Sequence, residues 1–135
     1  MYSKMVQENL KRSKEHEEHV ASILRPIYAS DAVARSDKGV RVQPGSGNQA
    51  LNPNDVKVIE RCYVECKETS AGSISIKHAW LTLVKKRAAM GGLRSILALR
   101  FSHPFHAFCK DYYVIDEATL VHLLKCELEV ERKEQ

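Results

Sequence analysis

No apolar run in this 135-residue chain approaches the roughly 18–20 residues of a membrane-spanning helix, so no helical membrane span is expected. The first residues, Met1-Tyr2-Ser3-Lys4, turn polar at once, and no secretory signal is expected. Cysteine is also sparse. Four thiols are too few for a disulfide-stapled secreted miniprotein and fit a reducing compartment in which they stay free. Internal repeats and low-complexity tracts are lacking, which removes solenoid and disordered classes. What remains is an ordinary globular balance, 44% hydrophobic and 28% charged, sized for one domain over residues 1–135. A soluble cytoplasmic domain is expected.

Acidic residues are missing from one stretch. Residues 77–110 carry seven basic side chains (Lys77, Lys85, Lys86, Arg87, Arg94, Arg100, Lys110) and no acidic one, whereas residues 111–135 carry seven acidic and three basic. A local basic excess suits a polyanion, because phosphate contacts release counterions and dominate nucleic-acid affinity. A solvated basic helix would look the same in sequence.

The hydrophobic pattern predicts a helix from residue 3 to about 24, stopped at or just before Pro26. Its centre, Lys11 to His19, has almost no apolar residue and is expected to face solvent or something polar, with His16 and His19 exposed. Val40-Arg41-Val42 reads as a short strand before a Pro44-to-Asn48 loop, and Asn52-Pro53-Asn54 as a turn. Residues 55–59 and 62–68 read as a hairpin. A helix capped by Ser73 or Ser75 runs from Ile76 to Gly91-Gly92, with Trp80 in its core face. Strands at 95–101 and 112–115 and a final helix opened by Asp116-Glu117 complete the chain. The order is helix, three strands, helix, two strands, helix: a mixed α/β domain.

The chemistry concentrates at Asp55 and Glu65-Cys66-Lys67. Residues two apart on a strand share a face, so Glu65 and Lys67 are expected together with Cys66 turned away. Hairpin pairing would bring Asp55 beside them. Two carboxylates and an ammonium suit a hard divalent cation bridging to phosphate, although E-x-K on a strand is also a common surface salt bridge. Cys62 and Cys66 on one strand would lie ~13 Å apart, too far to chelate one zinc. They are read, with Cys109 and Cys126, as small buried apolar residues. The His103, His106 and Cys109 run is the remaining zinc-like feature.

With Pro44-Gly45-Ser46-Gly47 upstream and Glu68-Thr69 and Ser73-Ile74-Ser75-Ile76 downstream, the segment resembles the PD-(D/E)XK nuclease superfamily. Within it, the chain is most similar to small Holliday-junction resolvases and their phage-encoded relatives. The resemblance covers residues 14–101 and implies a restriction-endonuclease-like mixed central sheet flanked by helices. It implies Asp55 and Glu65 as metal-binding carboxylates, the Cys66 carbonyl as a further ligand, Lys67 as the catalytic lysine, and Glu17 as the helix carboxylate, with Glu18 the alternative. Ser46 would contact the scissile region. Thr69, Lys77, Lys85 and Lys86 are the candidate DNA-backbone contacts. Asn54 stands where many members have proline or glycine, and Glu68 adds a charge directly after the lysine. The implied activity is a Mg²⁺-dependent endonuclease on four-way or branched DNA, with Mn²⁺ able to substitute, acting as a C2 homodimer. The alternatives are another nuclease of the same superfamily and a DNA-binding protein that keeps the fold without cutting.

Overall fold

A computed structural model describes residues 3–31, 39–42, 55–58, 61–102 and 110–134, with the Asp55 side chain outside the description. The Pro44–Asn48 loop with Ser46, the 52–54 turn and the His103–Cys109 run lie outside the described residues. The elements are α1 (Lys4–Ile27), β1 (Val40–Val42), β2 (Asp55–Val58), β3 (Cys62–Thr69), α2 (His78–Met90), β4 (Arg94–Phe101), β5 (Asp111–Ile115) and α3 (Glu117–Glu134). They form the expected mixed α/β arrangement. The five strands make one sheet in sequential order. β1, β2 and β3 pair antiparallel, β3 and β4 parallel, and β4 and β5 antiparallel. The parallel step is the one that needs a crossover, and α2 supplies it.

Alternation along β3 divides the sheet into two layers. Cys62, Val64 and Cys66 join Val56, Val58, Val40 and Ala98 beneath Val20 and Ala21 of α1. Tyr63 turns the other way and packs with Val84 and Ala88 of α2. α1 therefore covers one face and α2 the other, so each residue of β3 is assigned to a layer by parity alone.

Ser3 caps α1 by accepting from the Val6 N–H at 3.2 Å. Pro26 lies inside the last turn of α1 rather than at its stop, because the Tyr28 N–H still closes on the Leu24 carbonyl at 3.1 Å. α2 starts later than Ser73 or Ser75. Residues 73–77 are irregular, and Lys77 takes the N-cap in an extended conformation with no side-chain capping bond. At the other end Gly92 adopts φ +67°, which favours glycine, and the Leu93 N–H bonds the Ala88 carbonyl at 2.8 Å. Cys62 and Cys66 are buried as expected, while Cys126 is only half-buried, because α3 has little packed against it; Cys109 is outside the described residues. Among the described residues, no helix is long and apolar enough to cross a membrane.

Candidate active site

The β2–β3 register sets Asp55 directly opposite Glu65. On β3 the Lys67 Nζ lies 3.4 Å from Glu65 Oε1, so the two side chains share a face as their spacing requires. Cys66 belongs to the other layer, with its thiol buried against α1. Glu65 is only 8% exposed, so its charge needs partners.

α2 provides two residues that complete this arrangement. Arg87 Nη1 donates to Glu65 Oε2 at 3.2 Å, so each carboxylate oxygen faces one cation. The Trp80 ring lies under Lys67, whose Nζ is 4.7 Å from the ring centroid. A cation–π contact of this kind restrains a long side chain that would otherwise sample many rotamers. Sequence reasoning assigned Arg87 to a solvated basic run and Trp80 to the core. Trp80 is instead half-buried, its ring shared between the helix surface and the lysine. The signal was present in the spacing, since residues 80, 84, 87 and 88 share one helical face, and Val84 and Ala88 are the buried pair on it.

The remaining candidates lie on both faces of the sheet, and Glu17 is across it from Glu65 and Lys67. Glu17 sits in the α1 layer, 6% exposed, one turn before Val20 and Ala21. Burial, with the neighbouring Glu18 charge, pushes its carboxyl up to about 7. Thr69 Oγ1 accepts from the Ala71 N–H at 3.0 Å and fixes the turn leaving β3. Lys77 is exposed at the N-cap of α2, with Nζ 5.9 Å from the Trp80 centroid. Lys86 is exposed. Lys85 projects to the other flank of α2, 3.9 Å from the Asp116 carboxylate, beside a cleft lined by Leu81, Leu97, Val114 and Ile115. Glu68, whose charge stood beside the lysine in sequence, faces α1 and pairs with Arg12 at 3.0 Å. Parity removes it from the Glu65 face.

His16 departs from expectation. It is 1% exposed, because the helical phase set by Val20 and Ala21 carries it onto the sheet while Lys11, Lys14, Glu15 and Glu18 face water. Burial lowers its pKa to about 4, with the nearby Arg100 cation acting in the same direction. Among the described residues its Nδ1 has no hydrogen-bond partner. It lines a small cleft of about 110 Å³ with Ser13, Cys66, Lys67 and Glu68 at the end of β3. His19 is half-buried rather than exposed, 3.7 Å from Asp111.

Among the described residues, no three His, Cys, Asp or Glu side chains converge closely enough to hold a metal ion. The donor chemistry at Glu65 nevertheless suits a hard cation. Each of its oxygens has one cation contact and so keeps a second lone-pair direction, and Asp55 holds the facing register position. Comparison with known proteins finds no matching family model, no matching curated protein and no matching solved structure.

Proposed function

We propose that this chain is a metal-dependent DNA endonuclease of the PD-(D/E)XK type, acting on four-way or otherwise branched DNA. The observation that carries the reading is the coincidence of three features. Asp55 stands opposite Glu65, Lys67 lies 3.4 Å from Glu65 on the same strand, and the strand sits in a helix–three-strand–helix–strand framework. That order and sheet arrangement are what the superfamily resemblance implies.

In this reading Asp55, Glu65 and the Cys66 carbonyl would hold Mg²⁺ or Mn²⁺, whereas Glu17, in the α1 layer across the sheet from Glu65, stands outside this set. A bound divalent ion would polarise the phosphoryl oxygen and acidify the attacking water. The chain's own residues do the rest. Arg87 holds the Glu65 carboxylate in one orientation, and Trp80 confines the Lys67 ammonium to the same face. Lys67 orients the water and stabilises the negative charge that develops on the phosphoryl oxygens. Water attacks in line, the new P–O bond forms, and the bond to the leaving sugar oxygen breaks. Thr69 and Lys77 are the proposed DNA-backbone contacts beside this centre, with Lys85 and Lys86 further along α2; Ser46, outside the described residues, is a further proposed contact. Specificity would come from DNA shape, since no base-reading motif is present. A two-fold junction cut on paired strands calls for two such centres in a C2 dimer.

A second reading is a DNA-binding protein that does not cut. It is favoured by the two cations already facing Glu65, which neutralise that carboxylate without a metal.

One gel assay separates these readings. Purified protein is incubated with a labelled immobile four-way junction, or with linear duplex of the same arms, in Mg²⁺ or EDTA. Paired nicks near the branch point that need Mg²⁺ and vanish in Asp55→Asn are expected. Equal cutting of linear duplex would discard junction selectivity, and binding without cutting in any metal would leave the second reading.

A further inference from the structure

The sheet face toward α2 changes from covered to open along its length. α2 starts above Lys67, where Trp80 meets the ammonium, and ends above Tyr63, which packs buried against Val84 and Ala88. Tyr112 shares that face on the outermost strand, beside the start of the helix, and is 49% exposed.

The ladder fixes its place. Lys67 pairs with Leu99 and Leu99 with Tyr112, so the three side chains form one row on one face. Two interstrand steps of about 4.8 Å set the Lys67 and Tyr112 backbones ~10 Å apart. Phe101, the next residue of β4 on this face, meets Tyr112 edge-to-face, with ring centroids 6.0 Å apart and planes at 87°. That contact restrains the tyrosine ring while leaving half of the residue in water.

Charge selects what such a ring can take. Of the carboxylates on β3, β4 and β5, Glu68 and Asp111 turn to the α1 face, where Arg12 and Arg100 hold them. Glu65 stays on the α2 face and is held by Lys67 and Arg87. Lys77 at the start of α2 and Lys110 just before β5 are both exposed. An exposed aromatic ring among cations suits an anionic chain with planar apolar groups. Unpaired nucleotides combine the two, whereas a duplex stacks its bases on one another.

We propose that Tyr112 is a stacking platform for an unpaired base of the DNA strand held at Lys67. At 3.4 Å per stacked step, ~10 Å places that base about three nucleotides from the phosphate at the lysine. The proposal rests on the nuclease reading and adds a substrate feature to it, nucleotides already out of the duplex beside the branch. Such nucleotides cost no unpairing energy to engage.

The test is a fluorescence-anisotropy titration of the full chain in EDTA and in Ca²⁺, which reads binding apart from cutting. One labelled DNA is a fork with two unpaired arms, and the other is a blunt duplex of equal length. The parent should bind the fork more tightly. Tyr112→Ala should weaken fork binding about tenfold and duplex binding less than about twofold. Tyr112→Phe should bind as the parent does, because stacking needs the ring and not the hydroxyl. Tyr112→Leu, which keeps apolar bulk, should bind like Tyr112→Ala. Since Tyr112 is half-exposed, circular dichroism of all three variants should stay native. Unchanged fork binding in Tyr112→Ala overturns the platform and leaves the nuclease reading standing; a patch that takes an acidic protein segment instead gives this result. Equal losses on fork and duplex also overturn it. A parent that binds neither DNA in either condition overturns the nuclease reading, and the platform with it.

Discussion

The two faces of β3 are built from one run of eight residues and have opposite characters. Toward α1 the strand presents Cys62, Val64 and Cys66, and the layer is a dry cluster with Val20, Ala21 and the β1–β2 valines. Toward α2 it presents Tyr63, Glu65 and Lys67, of which the last two meet Arg87 and Trp80. Among the described residues the first cluster holds nine buried residues and the second three, so more of the packing lies on the α1 side. A strand with period two can hold a framework on one side and reactive groups on the other without compromise between them. Mutations on the two faces should therefore fail in different ways.

The sharpest contrast pairs Lys67→Ala with Val64→Ala. On the proposed function, Lys67→Ala should lower junction cleavage about a thousandfold, within the range for losing a charge-stabilising group. Its melting temperature should stay close to that of the parent, because the side chain is half-exposed. Val64→Ala should do the reverse. The residue is 1% exposed, and its truncation removes buried methyl groups and leaves a cavity, costing roughly 1.5–3 kcal/mol. Cleavage per folded molecule should hardly change. Paired urea-unfolding and single-turnover measurements check both, and a Val64→Ala protein that loses activity while keeping its stability would break the division between faces.

This division was largely legible in the sequence. The alternation from Cys62 to Lys67 fixed which residues point together, and the element order followed from apolar runs and turn residues. The α2 contribution was harder to see. Arg87 sits in a Lys-Lys-Arg run, and composition says only that such a run is basic. It turns inward because Val84 and Ala88 set the buried stripe and Arg87 falls on the flank of that stripe, beside Trp80, by helical phase. His16 was missed for a related reason. A polar stretch reads as a solvated face, yet helical phase from Val20 and Ala21 carries residues 16 and 17 onto the sheet. The length of α3 was readable, but its exposure was not, because a wide apolar face ordinarily signals burial within the same chain.

Arg87 tests whether the charged face is a coupled unit. Removing it leaves one Glu65 oxygen without its donor in a site only 8% exposed. Arg87→Ala should cost about 1–2 kcal/mol, less than the Val64 truncation, because water can still reach part of the pair. The informative quantity is the coupling. In a Glu65→Gln background the same substitution should cost measurably less, giving a double-mutant interaction energy of about 1 kcal/mol. Additive costs would mean that the contact at 3.2 Å contributes nothing to the folded state.

The smallest effect separates the faces by proton uptake, in metal-free protein. The α2 face keeps its charges paired, whereas the α1 face buries Glu17 and His16 and shifts both toward their neutral forms. Glu17 moves up from 4.5 to about 7, so between those values the folded state binds the extra proton and stability falls as pH rises. His16 moves down from 6.5 to about 4, so across that window the unfolded state binds the extra proton and stability rises with pH. The two slopes oppose each other over most of the acid range, and the parent should show a nearly flat contribution from this pair. Glu17→Gln should expose the rising slope below pH 6.5, set by His16 alone. His16→Leu should expose the falling slope between 4.5 and about 7. It should also not destabilise at neutral pH, because it removes a buried Nδ1 that has no hydrogen-bond partner among the described residues. Urea-derived stabilities across this range, taken as differences from the parent, give both signs. Difference curves with the same sign would mean that at least one of the two groups titrates as it does in water, and the α1 face would then be wetter than its packing implies.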